Sequence, residues 1–242
     1  MKRRITLFIL LGILIGVTVW ITNLEMLKFR PPATYKELFI RINEHLKMVG
    51  LGEFIAIVVG IPLGILVTRP KFSKISPLVM GIVNIGQTVP SMAVVAIVAV
   101  IIGGFGFTPA VIALFIYGLL PIVRNSYAGI KNIDPSIIEA AKGMGMSKRQ
   151  IIWKIELPLA RRIIMAGIRT STVINIGTAA LAALIAAGGL GMIILAGLLN
   201  NIPLLLLQGA APTAALAMIL DAILGGIEEW VTPRGLKVKR GV

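Results

Sequence analysis

Residues 139 to 158 read Glu-Ala-Ala-Lys-Gly-Met-Gly-Met-Ser-Lys-Arg-Gln-Ile-Ile-Trp-Lys-Ile-Glu-Leu-Pro. This stretch is polar and basic by comparison with the long apolar runs before and after it. Charged side chains are costly in the hydrocarbon core of a bilayer. The stretch is therefore expected at a membrane surface, between two groups of apolar segments.

The residues just before this stretch predict where a helix begins. Asp134 is a favourable N-cap, and Pro135 suits the first helical turn, where its missing N–H is not needed. Ser136 and Glu139 have the spacing of a capping box. A short helix is therefore predicted from Pro135 onward.

Glycines divide the stretch itself. Gly143 and Gly145 are poor helix formers and are expected to end the first helix. A second short helix is predicted from about residue 147 to Pro158, where the proline stops it. The small alanine faces allow close approach of another surface, and Glu139 can accept hydrogen bonds from a partner. An amphipathic interfacial helix that only connects two spans is the alternative.

The composition indicates a membrane protein. Of 242 residues, 57% are hydrophobic, a larger share than in ordinary soluble domains. The formal net charge of +14 does not indicate nucleic-acid binding, because the basic residues fall at the ends of apolar spans. The chain has no cysteine, and its single histidine is His45. Disulfides and thiolate metal sites are excluded, and a histidine-built metal site is not expected.

Six apolar runs are long enough to cross a bilayer as helices, which takes about 20 residues. They cover residues 5–22, 46–68, 75–101, 107–129, 163–187 and 203–230. The first resembles a signal peptide but lacks a small-residue cleavage site, so it is expected to remain as an anchor. The predicted fold class is an all-α membrane protein with six transmembrane helices. Its predicted parts are an anchor helix and outer loop at 1–45, a core at 46–230 that contains the loop 130–162, and a basic tail at 231–242.

Two segments are predicted on the outer side of the membrane. Residues 23–45 form a loop, with a small interfacial helix expected over 35–44. Residues 188–203 begin with glycines that break the fifth span, and they are expected near the outer face or dipping back into it. No Gly-Lys-Ser/Thr follows these glycines or occurs elsewhere in the chain, so a phosphate-binding loop is excluded.

The basic residues predict the orientation of the spans. Of 24 Lys and Arg residues, 19 fall on the side that carries both termini and the loop 130–162. The five on the opposite side are Lys28, Arg30, Lys36, Arg41 and Lys47. Because basic residues concentrate in cytoplasmic loops, both termini and the loop are predicted to be cytoplasmic.

Polar side chains at helical spacing form a stripe on each of two spans. The third span carries Asn84, Gln87, Thr88 and Ser91. The fifth span carries Ser171, Asn175 and Thr178. A polar side chain within the membrane usually faces the bundle interior or water, so the stripes predict two walls of a hydrophilic translocation path. Interhelical hydrogen bonds that hold the bundle together, worth about 0.6 kcal/mol each, are the alternative.

Two carboxylates, Glu53 and Asp221, also lie within the predicted spans. In a proton-coupled carrier such groups would bind and release the driving proton. Neither is expected near the two stripes, so pairing with a donor near a span end is favoured. Two glycine pairs, Gly12 with Gly16 and Gly60 with Gly64, have the small-xxx-small spacing that suits close helix contact.

Seven residues of the opening stretch carry a resemblance to a known family. At fixed offsets they match the "EAA" loop of ATP-binding-cassette (ABC) importer permeases: Glu139, Ala140, Ala141, Gly145, Ile155, Leu157 and Pro158. The resemblance implies that the loop couples the chain to an ATPase, and that the fold is that of type I ABC importer permeases. The orientation predicted from charge alone places the loop on the cytoplasmic side, where such an ATPase would be.

The resemblance covers about residues 46 to 230. Segments 84–93, 117–130 and 182–191 are similar to permeases of compatible-solute importers, which take up glycine betaine, choline, carnitine or proline betaine. The discriminating parts are Gln-Thr-Val-Pro-Ser at 87–91 and Gly-Gly-Leu-Gly at 188–191. Permeases for methionine share the loop, and a permease for methionine or another small solute is the alternative within this class.

The resemblance also implies partners in the cell (inner) membrane and on both sides of it. They are ABC ATPase subunits, an extracytoplasmic substrate-binding protein or lipoprotein, and a second permease that is either the same chain or a sister. ATP and Mg would be bound by the ATPase, so no cofactor, metal or catalytic residue is expected in this chain. The spans hold no aromatic cluster that could cage a quaternary ammonium group, so substrate selection is expected in the binding protein.

Two other classes of protein remain for comparison. An ATP-independent channel or secondary carrier has similar apolar spans, and it differs in that its transport needs no ATPase. A membrane-embedded enzyme would need a metal cluster, a nucleophile–base pair or paired carboxylates, and the sequence supports none of these.

Overall fold

The computed structural model describes residues 33–231, together with Gly12 and Gly16. The rest of the predicted anchor helix at 5–22 and the tail after residue 231 lie outside the described residues. Between residues 33 and 231 the chain forms helices and turns, without a strand. The predicted all-α class is therefore confirmed for this part of the chain.

Nine α-helices occur between residues 33 and 231. They are α1 (Tyr35–Val67), α2 (Ser76–Gly86), α3 (Ser91–Ile102), α4 (Phe107–Lys131), α5 (Pro135–Gly143), α6 (Lys148–Ile151), α7 (Leu157–Leu181), α8 (Gly191–Leu199) and α9 (Pro203–Val231). Short 3-10 turns occupy Pro70–Phe72 and Ala182–Ile185, and a π turn at Ile152–Glu156 joins α6 to α7.

Four helical stretches of the described part are long and apolar enough to cross a membrane, and the bent pair α2 and α3 makes five if it is one span. Two of them, α4 and α9, end within two residues of the predicted spans 107–129 and 203–230. The remaining predicted span, at 5–22, lies outside the described residues except for Gly12 and Gly16. The total of six spans therefore stays a prediction.

The first helix corrects one prediction. Residues 35–44 do not form a separate interfacial helix, because they are the first turns of the continuous helix α1. No glycine or proline stands between Tyr35 and Met48 to interrupt it. Arg41 and Glu44, one helical turn apart, form a salt bridge of 3.0 Å on its surface. The apolar run fixes where a helix enters hydrocarbon, but it does not fix where the helix begins.

The predicted third span is also wrong as one helix. α2 ends at Gly86 and α3 begins at Ser91, and the two are bent by 105°. Val89 precedes Pro90, and a residue before proline disfavours the helical conformation. Two hydroxyl groups satisfy carbonyl groups at the break: Thr88 Oγ1 donates to Ile85 O at 2.7 Å, and Tyr117 OH donates to Val89 O at 3.3 Å. The four polar residues of this span therefore do not share one helical face.

Pro158 does not end a helix, contrary to the sequence prediction. It is the second residue of α7, and helical structure runs from Lys148 to Ile185. The Leu157 N–H bonds to the carbonyl of Ile152, five residues back, in the π turn. This wider turn ends at Glu156, two residues before the proline, so the hydrogen-bond ladder is already shifted where Pro158 lacks an N–H.

The described residues group into two compact units. The first contains residues 33–55, 89–118 and 172–221. Its core includes Met48 of α1, Leu114 of α4 and Ile176 of α7, all fully buried. Gly52 brings α1 close to α4 here, because a Cβ at this glycine would lie 2.9 Å from Leu114 Cβ.

The second unit contains residues 56–88, 119–171 and 222–231 of the described chain. It includes the opening stretch of the sequence. The predicted contact role is confirmed for Gly60 and Gly64, since a Cβ at Gly60 would lie 2.8 Å from Ile122 Cγ2 and one at Gly64 2.6 Å from Ser126 Cβ. Among the described residues, the structure shows no such contact at Gly12 or Gly16, where nothing lies within 4 Å of a Cβ. Ile122 and Val123 of α4 and Ala160 of α7 are fully buried in this unit.

Candidate functional site

The exposed segment 135–156 of the second unit begins as predicted, with Asp134 as its N-cap. The Asp134 carboxylate accepts a hydrogen bond of 2.9 Å from the Ser136 N–H at the start of α5. Hydrogen bonds from the Ser136 backbone and side chain lower the pKa of Asp134. The predicted Ser136–Glu139 capping box is wrong: Glu139 instead accepts from Lys142 Nζ at 2.7 Å on the helix surface.

Gly145 has a structural reason to be glycine. Its φ is +77°, in the left-handed region. The Gly145 N–H bonds to Lys142 O at 2.9 Å and the Met146 N–H bonds to Ala141 O at 3.1 Å. This pair of bonds is the Schellman motif that ends a helix, and its left-handed position strongly favours glycine. The prediction that α5 ends near Gly143 is confirmed.

The second short helix starts at the predicted place. Ser147 is the N-cap of α6 and forms a capping box with Gln150, which was not predicted. Gln150 N–H donates to Ser147 Oγ at 3.3 Å, and Ser147 N–H donates to Gln150 Oε1 at 2.7 Å. A sharply defined turn between two capped helices results.

The seven residues of the EAA pattern fall into two environments. Three lie on the exposed surface: Glu139, Ala140 and Gly145. The side chain of Glu139 is 69% exposed. The other four are buried or half-buried within the second unit: Ala141, Ile155, Leu157 and Pro158. The exposed group can contact another protein, whereas the second group is at least partly covered by the rest of the unit.

Glu156 belongs to this region and was not singled out from the sequence. Its carboxylate accepts two hydrogen bonds from the Arg69 guanidinium, of 3.0 and 2.6 Å. The side chain of Glu156 is only 9% exposed. The signal available in the sequence was a carboxylate within an otherwise apolar Ile-x-Leu-Pro, which requires a partner when it is buried.

The predicted stripe of the third span surrounds the break between α2 and α3. Asn84 and Thr88 are exposed, and Gln87 and Ser91 are half-buried. In the second unit, Arg124 of α4 donates to Gln87 Oε1 at 3.2 Å. The exposed polar groups are therefore available to water or to a solute at this break.

The stripe of the fifth span is buried instead. Ser171, Asn175 and Thr178 of α7 are exposed by at most 3%. In the first unit, Asn175 Nδ2 donates to Glu53 Oε2 at 2.7 Å. The expectation that Glu53 lies away from the stripes is wrong, because Asn175 is a member of one. A buried amide that binds a buried carboxylate favours the hydrogen-bonding alternative for this stripe.

The glycines at 188 and 189 pack against α1 in the first unit. The Gly189 N–H donates to Glu44 Oε2 at 2.9 Å. His45 is fully buried, and its Nε2 bonds to the carbonyl of Ile176 at 3.0 Å. Between residues 33 and 231, no group of three or more His, Asp or Glu side chains is placed to hold a metal ion.

Comparison with known proteins identifies the family of the chain. Residues 60–234 match the model of the family described as binding-protein-dependent transport system inner membrane component. The osmoprotectant import permease protein OsmY of Salmonella typhimurium is 44% identical over 96% of this chain and 97% of its own length. The glycine betaine/carnitine/choline transport system permease protein OpuCB of Bacillus subtilis is 45% identical over 83% of this chain and 91% of its own length.

Solved structures agree with this assignment. An inward-facing structure of the MetNI methionine ABC transporter matches with a TM-score of 0.70 and 26% identity, over 81% of this chain and 97% of that chain. An amino acid ABC transporter matches with a TM-score of 0.63 over 81% of this chain and 93% of that chain, and at 18% identity this match bears on the fold alone. The chain belongs to the family of inner membrane components of binding-protein-dependent transport systems.

Proposed function

We propose that this chain is the permease subunit of an ATP-driven importer for compatible solutes such as glycine betaine, choline or carnitine. The names of relatives that are more than 40% identical over most of the chain support this substrate class. ATP and Mg are bound by separate ATPase subunits, and an extracytoplasmic protein delivers the solute. The permease works as a pair, with a second copy or a sister chain.

The observation that carries the proposal is the exposed segment 135–156. Each of its two short helices has an N-cap, and Gly145 forms the turn between them. The side chain of Glu139 on its surface is 69% exposed. A segment with such defined geometry and an exposed surface suits docking by another protein better than a simple connection between spans. Docking of the ATPase here fits the EAA pattern, of which three members are exposed.

The proposed translocation path uses the polar residues at the break between α2 and α3. Four residues are assigned to the path because their polar groups are exposed or half-buried: Asn84, Gln87, Thr88 and Ser91. The buried stripe of Ser171, Asn175 and Thr178 is assigned to hydrogen bonding within the protein. This division is supported by the contact between Asn175 and Glu53.

Uptake by the reconstituted transporter tests the proposal. The chain, the ATPase subunits and the binding protein of the same transporter are placed in proteoliposomes with ATP on the side of segment 135–156. We expect ATP-dependent uptake of radiolabelled glycine betaine or choline, and none of methionine. In the Glu139→Lys variant, the amount of ATPase that co-purifies with the permease should fall about tenfold. The reversed charge would repel any basic group of the ATPase that contacts Glu139.

Glu37→Lys is the matched control. Glu37 is an exposed glutamate in the first turn of α1, far along the sequence from the segment. This variant should retain the wild-type amount of ATPase. Uptake that continues without ATP would support the channel or secondary-carrier alternative. ATPase binding that is unchanged by Glu139→Lys would show that the ATPase does not dock on the surface around Glu139.

A further inference from the structure

An ion pair fastens the end of the exposed segment to a neighbouring turn of the second unit. Nη1 and Nη2 of Arg69 donate to Oε1 and Oε2 of Glu156 at 3.0 and 2.6 Å. Only 9% of the Glu156 side chain and 26% of the Arg69 side chain are exposed. One guanidinium therefore engages both carboxylate oxygens, largely out of contact with water. Such a bidentate contact fixes orientation as well as distance.

The same guanidinium also holds the end of α1. Arg69 Nε donates to the carbonyl of Ile65 at 3.1 Å, and Ile65 lies in the last turn of that helix. The same carbonyl accepts from the Thr68 N–H at 3.2 Å and from Thr68 Oγ1 at 2.6 Å, so Arg69 is one of three donors at this helix end. Arg69 thus joins the C-terminal turn of α1 directly to Glu156.

The ion pair lies at a π turn in the backbone of the second unit. Glu156 is the last residue of the π turn Ile152–Glu156, between α6 and α7. Single π turns inside helices are rare and are frequently found at functional sites. Glu156 is part of the same helical stretch as α6, so a displacement of α6 would carry Glu156 with it, and the bidentate contact would pass that displacement to Arg69.

Stability alone is a weak explanation for the pair. A buried ion pair gains little net stability, because removing both charges from water offsets most of their attraction. The second unit also contains an ion pair between Arg169 and Glu228, at 2.8 Å, whose residues lie outside the exposed segment. The distinguishing property of the Arg69 pair is its position, between the exposed segment and the end of α1.

We propose that Arg69 and Glu156 are positioning residues that transmit movement of the ATPase-docking segment to α1. This inference rests on the proposed function, because only a permease driven by an ATPase needs such a link. Neither residue is required to touch the solute. Loss of the link should separate ATP hydrolysis from uptake without removing the ATPase.

The test compares three variants in proteoliposomes that contain the ATPase subunits and the binding protein. Glu156→Gln removes the negative charge, Arg69→Lys keeps a positive charge but loses the two-pronged contact, and Arg69→Glu with Glu156→Arg exchanges the partners. Glu228→Gln, in the ion pair with Arg169, is the matched control. Bound ATPase, ATP hydrolysis and uptake of radiolabelled glycine betaine or choline are measured for each.

We expect the two single variants to bind wild-type amounts of ATPase and to hydrolyse ATP, while solute taken up per ATP falls about tenfold, a typical size for coupling between sites. The exchanged pair should recover most of this ratio, and Glu228→Gln should leave it unchanged. A wild-type ratio in Arg69→Lys, or an equal loss in Glu228→Gln, would overturn the inference. Failure of the wild-type complex to take up solute with ATP would instead contradict the proposed function.

Discussion

Single side-chain atoms determine how closely α1 and α4 approach in the second unit. A Cβ at Gly64 would lie 2.6 Å from Ser126 Cβ and 2.8 Å from the Val123 carbonyl oxygen. A backbone oxygen cannot rotate away as the end of a side chain can. Helices in membranes associate through such small residues, because burial of apolar surface gives little advantage in lipid.

Replacement of Gly64 by alanine should therefore destabilise the protein. We expect a cost of about 1–3 kcal/mol, the usual range for overpacking, measured as a lower thermal unfolding temperature of the detergent-solubilised protein. Gly50→Ala is the control, because no atom lies within 4 Å of a Cβ at that position of the same helix. It should be neutral or stabilising, by up to about 1 kcal/mol of helix propensity. Equal effects at both positions would show that the close contact does not determine stability.

The EAA pattern illustrates how far individual residues could be predicted. The cap at Asp134, the end of α5 and the start at Ser147 follow from local chemistry and were predicted correctly. The partner of Glu156 was not predictable in this way, because Arg69 lies 87 positions away in the sequence. Local rules describe helix ends well, whereas a contact between distant segments depends on the packing of the whole unit.

At the scale of helices, proline had different effects in different places. Pro62, Pro121 and Pro212 lie inside continuous helices, Pro158 follows a π turn, and Pro90 stands at a break. What distinguishes Pro90 is its tertiary surroundings, since Tyr117 donates a hydrogen bond to the carbonyl of Val89 beside it. The sequence could indicate possible bends but could not rank them.

The two polar stripes should respond differently to substitution by leucine. Gln87→Leu should slow uptake severely at nearly unchanged thermal stability, because Gln87 is half-buried at the break and accepts one bond from Arg124. Asn175→Leu should lower thermal stability instead, by about 1–3 kcal/mol, because it removes a buried donor to the Glu53 carboxylate. Uptake per assembled complex should be retained.

Thiol labelling separates the same two roles. Cysteine at Asn84, which is exposed, should react with small water-soluble reagents, and cysteine at the neighbouring buried Val83 should not. Cysteine at Asn175 should also remain unreactive. Rapid labelling of Asn175→Cys, or severe loss of uptake by Asn175→Leu in a stable complex, would show that the fifth-span stripe lines the translocation path.

At the scale of the molecule, composition and hydropathy predicted the class correctly. The bounds of α4 and α9 followed from the lengths of apolar runs. The extension of α1 to Tyr35 did not follow, because the helix continues through residues of mixed charge that hydropathy excludes. The burial of the fifth-span stripe was not predictable either, since periodicity places residues on one face without showing what that face contacts.

The orientation predicted from charge can be tested with single cysteines, since the chain contains none of its own. Thr34, Lys74 and Lys148 are all exposed, so their labelling depends on the side of the membrane rather than on burial. In intact cells, a membrane-impermeant thiol reagent should label Thr34→Cys and leave Lys148→Cys unmodified, because 19 of 24 basic residues lie on the side predicted to be cytoplasmic.

Lys74→Cys is the control, because it lies on the same predicted side as Lys148 but outside the docking segment. It should also be protected in intact cells, and it should label once the membrane is permeabilised. Its protection excludes shielding by a bound ATPase as the explanation. Labelling of Lys74 and Lys148 from outside, with Thr34 protected, would reverse the orientation and place segment 135–156 where no cytoplasmic ATPase could dock.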